Sequence, residues 1–100
     1  MHETAYALGR QFFACYWQPA FTDVVELGSL DVNGSLRDHC PQGARYMGLD
    51  GVDGPGVDRV VDWGQPLPLA DACTDVVLSS SALEHDPLFW QSFLEMLRLL

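Results

Sequence analysis

Positive charge is scarce in this chain, where five basic residues stand against fourteen acidic ones and leave a net charge of −9. A field of that sign repels phosphate backbones and anionic headgroups, which argues against direct nucleic-acid binding. Cysteine is scarce as well. Cys15, Cys40 and Cys73 are odd in number and far apart, with neither a C-x-x-C pair nor a Cys/His ligand spacing, so they read as reduced thiols and not as a metal or disulfide framework. No stretch approaches the roughly 20 apolar residues of a membrane span. Met1 to Arg10 carries Glu3 and polar residues where a secretory leader would place a basic start and an apolar run. A soluble, cytoplasmic protein without a membrane partner is the expectation. Two phosphate-binding patterns are also missing, G-x-G-x-x-G and G-x-x-x-x-G-K-[ST], and nicotinamide dinucleotides and nucleoside triphosphates lose support with them.

What is present is a globular composition, 48% apolar and 19% charged over 100 residues, enough for one compact domain near the small end of the range. From His2 to Trp17 the residues Ala5, Leu8, Phe12, Phe13 and Tyr16 recur at helical spacing, and Pro19 ends the run. Thr22 to Gly28 is a β-branched stretch closing on glycine, the pattern of a buried strand feeding a tight turn. Ser35 to Cys40 has room for one or two helical turns before Pro41. Strands are expected at Arg45 to Asp50, at Val57 to Asp62 and at Thr74 to Ser79, the first two separated by a Gly/Pro-rich loop at 51–56. Pro87 to Leu100 reads as an amphipathic helix, with Phe89, Phe93, Met96, Leu97 and Leu100 on one face. Strands alternating with crossovers give an α/β domain with a mainly parallel sheet.

Ligands of doubly wound folds sit outside the carboxyl ends of the strands, and here those ends are polar. Strand one ends in Glu26-Leu-Gly28, strand two in Asp50-Gly51, strand three in Asp62-Trp63 and strand four in Ser79-Ser80-Ser81. Gly28 and Gly34 bracket a loop that includes Ser29 and Asp31, and glycines there permit close approach of backbone to a ligand. A row of carboxylates suits a ligand that donates through hydroxyls and an amine.

Three blocks in this order resemble class I S-adenosylmethionine (SAM) dependent methyltransferases of the type 11 kind. Val24 to Ser35 resembles the family's glycine loop in a longer variant whose usual middle glycine is absent. Tyr46-Met-Gly-Leu-Asp50 is similar to its second strand, and Leu67 to His85 to its "LPF…FDVV…LEH" block. The resemblance implies a Rossmann-like sheet in the order 3-2-1-4, with residues 22–100 as the N-terminal SAM-binding part and residues 1–21 as a helix that could cover the site. It further implies that Glu26 and the carbonyl of Ser79 meet the methionine amino group. The backbone from Gly28 through Ser29 and Asp31 to Gly34 would line the methionine, Asp50 would accept from the ribose hydroxyls, and Asp62 and Trp63 would contact adenine. Family members continue beyond the point matching Leu100, so the chain reads as a fragment ending after the fourth strand. By itself it is expected to lack turnover and to self-associate through the open edge of that strand.

Several alternatives stay open at this level. Gly28 and Gly34 also fit plain turns, and Asp50 and Asp62 fit strand caps. His85 fits either a general base or a packing residue. The aromatics Phe12, Phe13, Tyr16 and Trp17 fit either a lid or a core face. The leading function is methyl transfer from SAM to an unidentified small-molecule acceptor. Its rival is a non-catalytic SAM-binding or interaction module of the same fold.

Overall fold

The computed structural model describes all residues, 1–100. Helix α1 spans Glu3–Tyr16, strand β1 Asp23–Leu27, β2 Arg45–Asp50, β3 Arg59–Val60 and β4 Val76–Ser79, and helix α2 spans Phe89–Leu99. Short 3₁₀ turns cover Leu36–His39 and Leu83–His85. The four strands form one all-parallel sheet in the order β3-β2-β1-β4, the expected Rossmann-like arrangement.

β1 lies at the centre, with Val24 opposite both Tyr46 and Val76. A parallel strand covered on both faces needs apolar side chains pointing both ways, which is why Val24, Val25 and Leu27 run together without strict alternation. On one face Phe13 of α1 packs with Val24 and Val76, joined by Phe12, Trp17, Phe21, Tyr46 and Leu78. On the other, Val25, Leu27, Leu49, Val61 and Leu67 meet Leu99 of α2. Phe13 is therefore a core residue, and Tyr16, at 64% exposure, is not.

Three boundaries and one face differ from the expectation. β3 has two residues, not the six of Val57 to Asp62. The Val57 amide is turned toward Gly54 O, and the pairing with β2 is limited to the segment between Asp58 N–H···O Gly48 and Val61 N–H···O Asp50. β4 starts at Val76 because the Thr74 amide bonds to Leu99 O at the end of α2. α2 starts at Phe89, two residues beyond Pro87. Asp86 holds that corner, its carboxylate accepting from the Leu88 amide at 2.8 Å and from the Ser92 hydroxyl.

The face that α2 presents to the sheet is not the one its apolar spacing predicts. Ser92 and Leu99 are buried and Met96 partly so, whereas Phe89, Phe93, Leu97 and Leu100 each stay about half exposed. Polar anchors set this rotation. Arg98 donates to the carbonyls of Leu67 and Leu69 and to the Asp71 and Glu95 carboxylates, while Glu95 accepts from the Leu67 amide. Holding the connector this way turns the apolar flank outward. No helix is long and apolar enough to cross a membrane.

Candidate functional site

A cavity of about 440 Å³ opens at the carboxyl ends of the strands, within the size range of small-molecule sites. Gly28, Asp50, Trp63 and His85 line it, as do Leu30, Val32, Met1 and the segment Ser80 to Ala82. Four of the ten residues proposed from sequence therefore meet at one cavity.

Gly28 leaves β1 with φ +86°, a conformation that costs a side-chain-bearing residue, and its amide donates to Leu49 O at 2.7 Å. A Cβ there would fall 2.4 Å from the Ala82 Cβ, so the β1 loop and the loop after β4 touch at a point only glycine fits. Asp50 ends β2 with a carboxylate held by backbone amides. Oδ2 accepts from Leu30 at 2.9 Å, and Oδ1 accepts from Gly51 at 2.7 Å and Val52 at 3.4 Å. An ionised carboxylate has about four lone-pair sites, so acceptor capacity remains for a ligand on the open side. The Trp63 indole lies over Gly51, where a Cβ would come 2.5 Å from Nε1. A flat apolar wall thus stands beside a fixed acceptor.

The remaining sequence candidates lie behind or beside this lining. Glu26 is 2% exposed and accepts from the Tyr46 hydroxyl at 2.5 Å on the α1 face of the sheet. Burial pushes its carboxyl up from the ordinary range, partly opposed by the Tyr46 hydroxyl. Asp31 braces the loop, its Oδ1 accepting from the Gly34 amide at 2.9 Å while its own amide donates to Pro55 O. Gly34, at φ +128°, lies against the Tyr6 ring. Ser29 and Ser79 are inward-facing, each with a buried hydroxyl that has no hydrogen-bond partner. Asp62 is exposed next to Trp63. None of these six lines the cavity.

His85 stands at the rim with its side chain 81% exposed, and its nearest carboxylate is Glu84 at 3.9 Å. No side chain of α1 lines the cavity. From residues 1–21 only Met1 does, its amino group donating to Val32 O.

Sequence reasoning named Ser80 and Ser81 as part of a polar strand end without giving them a role, and it missed Ala82 as a wall residue and Gly48 as a support. Ser81 holds φ +54°, an uncommon conformation for a residue with a side chain. A Cβ on Gly48 would come 2.2 Å from Gly56 O and 2.6 Å from Ser29 Oγ, so two loops cross over β2 at that glycine. The signal was available, since a glycine inside a strand marks close backbone approach. No metal-ligand cluster occurs in the chain. Scans against protein-family models, curated proteins and solved structures found no significant match.

Proposed function

We propose that this chain is the cofactor-binding part of a SAM-dependent methyltransferase acting on a small-molecule acceptor. The observation that carries the reading is the pinned Asp50 carboxylate at the mouth of β2, facing a cavity whose other walls include Gly28, Trp63 and Leu30. A ribose offers two hydroxyl donors to such an acceptor. Gly28 leaves the space a ligand needs beside the end of β1, and the Trp63 indole is a surface for a flat base. Bound SAM would supply an electrophilic sulfonium methyl for a nucleophilic oxygen, nitrogen or carbon. A cationic sulfonium also suits a chain of net charge −9.

Within this reading the chain's own residues bind and orient. Asp50 and Trp63 fix the cofactor, and the apolar side chains of Leu30 and Val32 exclude water beside it. Acceleration then comes mainly from proximity and orientation. His85 is the second titratable side chain on the lining, placed to take a proton from an acceptor hydroxyl or amine. Ser29, Asp31 and Gly34 serve the site indirectly by holding the loop, Glu26 joins β1 to β2 through the Tyr46 hydroxyl, and Asp62 and Ser79 flank the lining residues Trp63 and Ser80.

Calorimetric titration with SAM and with S-adenosylhomocysteine tests the reading. Saturable binding is expected, weakened about ten- to a hundredfold in Asp50→Ala through loss of a charged acceptor worth roughly 1.5 to 3 kcal/mol. His85→Ala should leave that affinity intact and lower turnover by roughly 10²-fold where methyl transfer is measurable. Absence of binding in the native chain, or equal affinity in Asp50→Ala, overturns the assignment.

A further inference from the structure

The cavity is held from behind by the loop that follows β2. Residues 51–56 lie against the segment Ser29 to Asp31, and the contact is packed on glycine. A Cβ on Gly54 would come 2.5 Å from Leu30 Cδ1, and one on Gly56 would come 2.7 Å from Ser29 O. Pro55 O accepts from the Asp31 amide at 2.8 Å. Ser29 to Asp31 is thus clasped by this loop on one side, while on the other the Leu30 amide donates to Asp50 Oδ2 at 2.9 Å. Leu30 and Asp50 both line the cavity, and no residue of 51–56 does.

Arg37 fastens the clasp. Its backbone sits in a 3₁₀ turn that is itself anchored, with Leu36 buried against Gly9 of α1 and the Ser35 hydroxyl accepting from the Arg37 amide at 3.1 Å. From there the guanidinium lies over the Tyr46 ring, 4.6 Å from its centroid, and one terminal nitrogen donates to Gly56 O at 3.5 Å and to the Asp58 carboxylate. The same Asp58 oxygen accepts from the Gly48 amide at 2.7 Å. Against the burial that raises it, these two donors hold the Asp58 carboxyl below its ordinary value. The ring under the guanidinium is fixed as well, since the Tyr46 hydroxyl donates to the buried Glu26. One planar cation therefore ties the far end of loop 51–56 to β2, at the glycine where the two loops cross.

We propose that Arg37 is a positioning residue for the cavity, holding loop 51–56 against Ser29 to Asp31 so that Leu30 and the Asp50 carboxylate stay placed for a ligand that Arg37 itself does not touch. The role rests on the cofactor reading above for the identity of that ligand. The path is short. It runs from Arg37 to Gly56 and Asp58, from Pro55 to Asp31, and from Leu30 to Asp50. The β1–β2 pairing, from Asp23 opposite Arg45 to Leu27 opposite Leu49, uses no atom of Arg37, so loss of its donors releases the loop and leaves the strands. Acceptors at a binding site depend on such supports, because a shift of about 1 Å already spoils their aim.

Two measurements separate this role from general stability. Arg37→Met keeps an apolar stem over Tyr46 and removes the donors at a side chain that is 36% exposed, so the fold is expected to survive. In the ligand-free variant, amide exchange at Leu30 and Asp31 should quicken at least about tenfold, while Val25 and Leu27 keep their wild-type rates. Calorimetry with S-adenosylhomocysteine should show affinity lowered about five- to tenfold in Arg37→Met. The same change made in Asp50→Ala should cost less than about twofold, because the group that Arg37 positions is then gone. Arg37→Lys should stay within about threefold of the native affinity, since an ammonium still reaches the Asp58 carboxylate without the planar fork. Wild-type exchange at Leu30 and Asp31, native affinity in Arg37→Met, or losses that multiply in the double variant each overturn the proposal. A native chain that binds neither SAM nor S-adenosylhomocysteine overturns the cofactor reading, and exchange at Leu30 and Asp31 then decides by itself whether Arg37 holds the cavity wall.

Discussion

Single residues at the site act through what their backbones forbid. Gly28 combines a positive φ with a Cβ position 2.4 Å from Ala82 Cβ, two penalties that substitutions can separate. Gly28→Ala should cost about 2 to 4 kcal/mol, and adding Ala82→Gly should relieve the overlap while leaving about 1 kcal/mol from the left-handed conformation. Urea titration of both variants measures the split, and a double variant no more stable than the single would show that the overlap is relieved by loop movement. Glu26 offers a pH signature. Its carboxyl is raised from 4.5 by burial, so its contribution is fully present below that value and is lost as pH rises through the folded-state value. Asp23 behaves oppositely. Hydrogen bonds from Arg45 and Thr22 hold it at about 2, so its contribution is present above the ordinary carboxylate range and lost as pH falls toward that value. Glu26→Gln keeps an acceptor for the Tyr46 hydroxyl and removes the charge, so its stability relative to wild type should improve steadily above about pH 4.5. A difference independent of pH would place the charge elsewhere. At this scale four residues singled out from sequence, Gly28, Asp50, Trp63 and His85, line one cavity, because strand ends in a parallel sheet converge. The sequence could not show that Glu26, inside β1 on the same face as Val24, is taken up by the Tyr46 hydroxyl of the neighbouring strand instead of a ligand.

Among the elements, β2 was legible to the residue, because Arg45–Asp50 is bounded by a proline-containing turn and by a glycine-rich loop. β3 was not. Its apolar letters promise six residues, but the Val57 amide turns to Gly54 O and pairing with β2 begins only at Asp58, a turn that apolar spacing does not record. α2 was legible as a helix and misread as to its buried side. Hydrophobic spacing ranks faces by apolarity, while the observed rotation follows Arg98, whose planar fork reaches two carbonyls and two carboxylates at once. Replacing Arg98 with lysine keeps the charge and loses that geometry. Arg98→Lys should therefore resemble Arg98→Ala, with faster amide exchange at Leu67 and Leu69 and earlier proteolytic cutting between Gln65 and Asp71. Exchange at wild-type rates in the lysine variant would mean that charge alone secures the connector.

The whole molecule is a three-layer arrangement with unequal cores, three buried residues on the α1 side and six on the α2 side. Its architecture was readable in advance because short apolar runs alternating with crossovers admit few right-handed parallel topologies. Its outer surfaces were not, since they depend on which side of α2 the polar anchors draw inward. The central position of β1 carries a further consequence, one of time. β1 must wait for both partners, with Asp23 opposite Arg45 and Val24 opposite Val76, separations of 22 and 52 residues. Closing the longer loop costs about 0.8 kcal/mol more in chain entropy by the logarithmic rule, before α2 has docked to repay it. The β1–β2 pair should therefore form first, and β4 with α2 should join as a later unit. Leu49→Ala should then slow refolding, and Val76→Ala should act mainly by speeding unfolding. Equal fractional effects at the two sites would dissolve the order. On a ribosome the same sequence of events leaves Val24, Val25 and Leu27 half covered until Ser79 has emerged, a period in which the nascent chain exposes its most apolar strand to whatever is nearby.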